Sequence, residues 1–138
     1  MALNPYQKNA LEVEMRHLEQ ALLQAREFMR HMPEDGLLTN YRPVAEENRA
    51  RLEALIDRML AEIAVVVKKY DLQPRVEDIG VNIYAEMAGA WSDLYDMFAH
   101  KLKRYGHVDP ALGETLDPHI KLLINLAREI GEAAKDRQ

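Results

Sequence analysis

The sequence predicts an all-α protein, an antiparallel up-and-down four-helix bundle that forms one domain over residues 1–138. Apolar residues recur at steps of three and four along four segments, as they do on the buried side of a helix. Proline or glycine separates each segment from the next, and short links favour antiparallel neighbours. The chain contains no cysteine, which excludes disulfides and thiolate metal sites.

The first two predicted helices span approximately residues 5–32 and 43–71. Asn4 followed by Pro5 is typical of a helix start, because the asparagine side chain accepts from a free backbone N–H and proline has none to lose. Pro43 opens the second helix in the same way. The positions predicted to face inward on the first helix are Leu11, Met15, Leu18, Leu22, Ala25, Met29 and Met32.

The last two predicted helices span approximately residues 76–105 and 118–134, with a short helical turn near 110–116. Gly106 ends the third helix, and Asp117 followed by Pro118 repeats the start signal for the fourth. We therefore expect a leading turn and a kink before the fourth helix. Its predicted inward positions are Leu116, Ile120, Leu123, Ala127, Ile130 and Ala134.

A narrow polar stripe runs along the third predicted helix, and it is formed by Asn82, Glu86, Gly89, Asp93, Asp96 and His100. Steps of three and four place these residues on one side of a continuous helix. The stripe is either the solvent side of the helix or a row of ligands, and Asp93, Asp96 and His100 are then candidates for a divalent metal. The candidate ligand-binding residues are Glu86, Asp93, Asp96 and His100.

A second candidate cluster depends on the bundle topology. An antiparallel arrangement collects His31, His107 and His119 at one end, where imidazoles could bind a metal or respond to pH. Glu14 and His17 form the only Glu-x-x-His pair, a motif that di-metal bundles use twice. Because this pair lies outside the inward positions of its helix, we do not expect a metal centre there.

The third predicted helix also carries an aromatic stripe and a strip of small residues. We expect Trp91 and the other aromatic residues to be core, and Trp91 to lie between helices. Gly89 costs helix propensity, so a close helix crossing or a ligand against the backbone would account for its presence.

The charge pattern and the absence of recognisable motifs limit the classes of function that the sequence allows. A net charge of −5 with interleaved acids and bases argues against nucleic-acid binding. No apolar run approaches the roughly 18 residues of a membrane span, and the first residues do not resemble a signal peptide, so we expect a cytoplasmic protein.

Without a recognisable catalytic motif, the sequence favours a non-enzymatic interaction module. The alternative is a bundle, even an enzyme, that binds a metal or a small ligand. We expect no cofactor other than a divalent metal.

Self-association is predicted from surplus apolar residues. The fourth predicted helix carries Leu122 and Leu126 in addition to its inward positions. A monomer would expose them as a patch, which soluble monomers rarely tolerate beyond a few hundred Å². We therefore predict a homodimer or a larger assembly, with another protein or helix as the alternative partner.

The metal hypothesis gives a direct prediction. If the stripe binds a cation, Asp93→Ala and Asp96→Ala should each abolish binding, because each removes a ligand. Helicity should be intact, and stability should change by no more than roughly 0.5 kcal/mol at an exposed position. Calorimetric titration with zinc, manganese or iron is the measurement. The hypothesis is wrong if the unaltered protein binds none of them.

Overall fold

The computed structural model describes residues 2–136, and all regular secondary structure in that range is helical. The prediction of an all-α protein is confirmed, but five helices are found where the sequence predicts four. They are α1 (Pro5–Arg30), α2 (Glu46–Lys69), α3 (Ile79–Tyr95), α4 (Ala99–Leu102) and α5 (Leu112–Lys135), with a 3₁₀ turn over Lys103–Tyr105. The chain divides into two compact units, Met1–Pro74 and Arg75–Gln138, and each is described by itself.

The first unit is a hairpin of α1 and α2. The predicted start of α1 is confirmed, since the Asn4 side chain accepts from the Gln7 backbone N–H at 2.8 Å and the Gln7 side chain accepts from that of Asn4 at 3.0 Å. The two helices are antiparallel, because Glu12 near the start of α1 accepts from the backbone N–H of Gln73 beyond the end of α2. The α1–α2 hairpin is therefore tied at that end.

The core of the α1–α2 hairpin is thin. Ile56, Ile63 and Leu72 are buried, whereas no residue of α1 is. Of the positions predicted to face inward on α1, Ala25 and Met32 are exposed and the others are half-buried. Two helices alone cover only one side of each other, so a wide apolar stripe cannot be buried completely.

The second unit is a hairpin of α3 and α5, which also run antiparallel. Gly80 near the start of α3 lies against the backbone of Ala134 near the end of α5. The buried positions of α5 are Ile120, Ile124, Ala127 and Gly131, one stripe at steps of four, three and four. The predicted inward positions Leu123 and Ile130 are wrong, since 48% and 52% of these residues are exposed.

Residues 76–105 do not form one continuous helix, so that prediction is wrong. Helix α3 ends at Tyr95, the backbone of Phe98 is extended, and the short α4 begins at Ala99. A long-range contact stabilises the break, because the carboxylate of Asp117 on α5 accepts from the backbone N–H of Ala99 at 2.8 Å. This carboxylate satisfies one of the free donors at a helix start.

Helix α5 is continuous where the sequence predicts a separate turn and a kink. It begins at Leu112, and Pro118 lies inside it. Proline cannot donate to the Glu114 carbonyl one turn earlier. Glu114 and Pro118 are both exposed, so water can hydrogen-bond that carbonyl instead.

Two glycines of α3 give a matched prediction. A Cβ at Gly80 would overlap the carbonyl of Ala134, whereas a Cβ at Gly89 meets nothing within 4 Å. Gly80→Ala should therefore lower the free energy of unfolding by about 1–3 kcal/mol, as overpacking does. Gly89→Ala should raise it by about 0.5–1 kcal/mol through helix propensity. Urea unfolding followed by circular dichroism measures both, and effects of the same sign would contradict the packing of α3 on α5.

Candidate functional site

One flank of α5 carries an exposed apolar stripe. Leu123, Leu126 and Ile130 are each more than two-fifths exposed, as is Leu122 beside them. At about 100° per residue, the first three lie roughly a quarter-turn from the buried stripe that contacts α3. They therefore flank the contact between the helices rather than fill it.

Helix α3 contributes to the same side of this hairpin. Ile79 is 68% exposed and Ile83 is 40% exposed. Tyr84 and Trp91 mark the line along α3 that contacts α5. By the same helical geometry, Ile79 and Ile83 lie roughly a quarter- to a third-turn around the helix from that line. Because α3 and α5 are antiparallel, turning in the same sense about each helix axis, starting from the contact between them, leads to the same side of the hairpin. These two residues of α3 and the exposed apolar stripe of α5 lie in that same sense from the contact. The α3–α5 hairpin thus has one apolar side, formed by Ile79, Ile83, Leu123, Leu126 and Ile130.

The opposite side of the α3–α5 hairpin is polar. Arg128 donates to the Tyr95 hydroxyl at 2.8 Å, and its guanidinium carbon lies 5.8 Å from the centre of the Trp91 ring. The Lys135 ammonium lies 4.2 Å from the centre of the Tyr84 ring. Cation–π contacts of this kind cover aromatic faces while the charge reaches water. By the same geometry Val81 is an exposed aliphatic residue on this side, so most but not all of the exposed large apolar residues of α3 and α5 lie on the other side.

Trp91 lies at the contact between α3 and α5, as the sequence predicts, but the prediction that it is a core residue is wrong, because no residue of α3 is buried. It is half-buried, and its ring packs against the backbone of Gly131. Its edge meets the ring of Tyr84, with the two centres 5.8 Å apart. A Cβ at Gly131 would lie 3.3–3.4 Å from the side chains of Tyr84, Met87 and Trp91, so a larger residue would fit tightly here. The sequence alone does not identify this position.

The α1–α2 hairpin has the same two-sided character. On one side Arg26 pairs with Asp57 at 2.7 Å and Arg30 with Glu53 at 3.5 Å, both between α1 and α2. The other side holds exposed apolar residues of both helices: Phe28, Met32, Leu52, Leu55 and Met59. The ion pairs lie on one flank of the helix contact, and these apolar residues lie on the other.

A pocket of about 370 Å³ opens on the apolar side of the α1–α2 hairpin, between the end of α1, the segment 41–44 and the start of α2. Its apolar walls include Phe28, Met29, Met32, Val44, Leu52 and Ile56, and its polar groups belong to Arg42, Glu46 and Arg49. Sequence analysis assigned residues 33–42 to a link and missed the pocket. Three apolar residues close together in and after that link, Tyr41, Pro43 and Val44, are the available signal.

The structure separates the members of the predicted polar stripe. Glu86 and Asp93 are exposed on α3, but Asp96 is its C-terminal cap and His100 belongs to α4. Asp96 pairs with Arg104 at 3.6 Å, and the His100 ring stacks on Phe98. The predicted face shared by Asp93, Asp96 and His100 required an unbroken helix, which the chain does not form.

The predicted histidine cluster is divided between the two units. His31 lies in the first unit and is 3.1 Å from Glu27, while His107 and His119 lie in the second, and all three are exposed. Glu14 and His17 are exposed on α1. Within residues 2–136, no group of three or more histidine or acidic side chains is arranged to hold a metal ion.

Comparison with protein-family models, with curated proteins and with solved structures finds no match to this chain. No helix in the described part of the chain is long and apolar enough to cross a bilayer.

Proposed function

We propose that this chain is a non-enzymatic helical interaction module that self-associates through the apolar sides of its hairpins. The observation that carries the proposal is the apolar side of the α3–α5 hairpin, where Leu123, Leu126 and Ile130 are exposed in line. Soluble monomers rarely leave a continuous patch of this kind uncovered. The polar flank with Arg128 and Lys135 on the other side supports an interface on one side only.

The exposed area of the chain supports this proposal. Its accessible surface is 11293 Å² for 15.9 kDa. Even two separate compact units, each of half this mass, would expose only about 8,900 Å² together. The chain thus exposes more surface than two compact domains of its total mass, and association would cover part of the apolar excess.

The apolar sides are large enough for a stable dimer. At 1.5 Å rise per residue, the 17 residues of α3 and the 24 residues of α2 give helices about 25 and 36 Å long. With helices about 10 Å wide, the two-helix sides measure roughly 500 and 700 Å². Standard interfaces bury about 800 Å² per partner. Contact through both sides therefore supplies sufficient area.

A second copy of the chain is the occupant that we propose for the α3–α5 side. The same side from two copies can meet about a two-fold axis, and two hairpins so paired make four helices around one core. Such a four-helix bundle would be built by two chains, whereas the sequence predicts one formed by the four helices of a single chain. Leu126, which the sequence marks as surplus, lies on this side of α5, whereas Leu122, marked in the same way, lies on the surface of α5 opposite the buried stripe.

The other sequence-based predictions of function stay predictions. They are the cytoplasmic location, the absence of a nucleic-acid partner, and the alternative of a metal- or ligand-binding bundle with Glu86, Asp93, Asp96 and His100. No observation in the described residues favours that alternative over self-association. We therefore propose no second function.

The decisive variants place a charge on each flank of α5. Leu126→Glu should convert the associated protein to a monomer, because a buried unpaired charge costs about 3–5 kcal/mol. This cost corresponds to a weakening of more than about a hundredfold in affinity. Asn125→Glu is the matched control, since Asn125 is its exposed neighbour on the polar flank. Its association should equal that of the unaltered protein.

Light scattering at tens of micromolar measures the mass, and circular dichroism checks that both variants are helical. We expect at least twice the chain mass of 15.9 kDa for the unaltered protein and for Asn125→Glu. A monomeric unaltered protein would refute self-association. Equal masses for Leu126→Glu and Asn125→Glu would refute this side of α5 as the interface.

A further inference from the structure

Two leucines project from the link between α1 and α2. Leu37 and Leu38 are fully exposed, at 104% and 100% of their reference areas. The loop around them is held by hydrogen bonds, since Gly36 donates to the Thr39 carbonyl and Tyr41 donates to the Asp35 carboxylate, each at 2.9 Å. A closed turn presents the pair at its tip at little further entropic cost on binding.

The same link also forms a wall of the 370 Å³ pocket. Tyr41 and Val44 line it, a few residues after the leucine pair. An apolar cavity of roughly 150 Å³ is enough to hold benzene, which has more carbon atoms than a leucine side chain. The volume of this pocket therefore suits two leucine side chains, and its walls are mostly apolar.

The charges around the tip and the pocket are complementary. Glu34 and Asp35 precede the leucine pair, whereas Arg42 and Arg49 line the pocket. Arg49 is held in place by a hydrogen bond that it donates to the Met29 carbonyl at 2.9 Å. The pocket also contains Glu46, so its net charge is +1, and an acidic tip that approaches it gains in attraction and in orientation.

We infer that the Leu37–Leu38 tip of one copy docks in the α1–α2 pocket of a second copy, and reciprocally. Residues 34–44 carry both the tip and one wall of the pocket. If two copies are related by a two-fold axis beside this link, the tip of each copy can enter the pocket of the other. The inference rests on the proposed self-association and names a contact on the α1–α2 side. It predicts that Leu38 of one chain lies beside Met32 of another.

Cross-linking between single-cysteine variants tests this contact, because the natural chain contains no cysteine. Leu38→Cys is mixed with Met32→Cys, one chain carries a mass tag, and a short bismaleimide links the thiols. Leu38→Cys mixed with Val13→Cys is the control, since Val13 is exposed but lies near the start of α1, far from Met32 beyond its end. Ala25→Trp added to the Met32→Cys chain should block the pocket.

We expect a cross-linked heterodimer from the Leu38 and Met32 pair, at least tenfold less from the control, and a comparable loss with Ala25→Trp. Light scattering of the same samples before cross-linking distinguishes a failure of the docking inference from a failure of self-association itself. An associated protein without the cross-link, or with an equal yield in the control, overturns this docking and leaves self-association standing. A monomeric protein overturns both.

Discussion

A two-helix hairpin can bury only one side of each helix, and this constraint governs both units of the chain. In the first unit the contact of α1 with α2 buries Ile56 and Ile63 but no residue of α1. In the second unit the contact of α3 with α5 buries one stripe of α5 and no residue of α3. Helices with wide apolar stripes need a further surface to cover them.

Charged side chains on one side of each hairpin limit which side a covering surface can occupy. Arg128 and Lys135 cover the aromatic rings on one side of the α3–α5 hairpin, and the Arg26–Asp57 pair stands on one side of α1–α2. Exposed ion pairs contribute little to stability. Their position matters more, because the remaining apolar sides determine which surfaces can associate.

The sequence predicts the helices well and their partners poorly. The Asn4 cap and the spacing of apolar residues suffice to predict α1 and α2, because both signals are local. On α5 the spacing allows two apolar stripes, and the buried one is the stripe whose Gly131 lies against Tyr84, Met87 and Trp91 of α3. The break at Phe98 is accompanied by a hydrogen bond from Ala99 to Asp117, which lies 18 residues further along the chain. The face that Asp93, Asp96 and His100 are predicted to share is interrupted by that break. The pocket was missed because a link forms one of its walls.

The dependence of folding stability on association tests the central claim most directly. If a second copy covers the apolar sides, association favours the folded state by mass action and the unfolding temperature rises with protein concentration. Thermal unfolding by circular dichroism over a hundredfold range of concentration should show a steady rise, and Leu126→Glu should remove it. A midpoint independent of concentration in the unaltered protein would contradict the account.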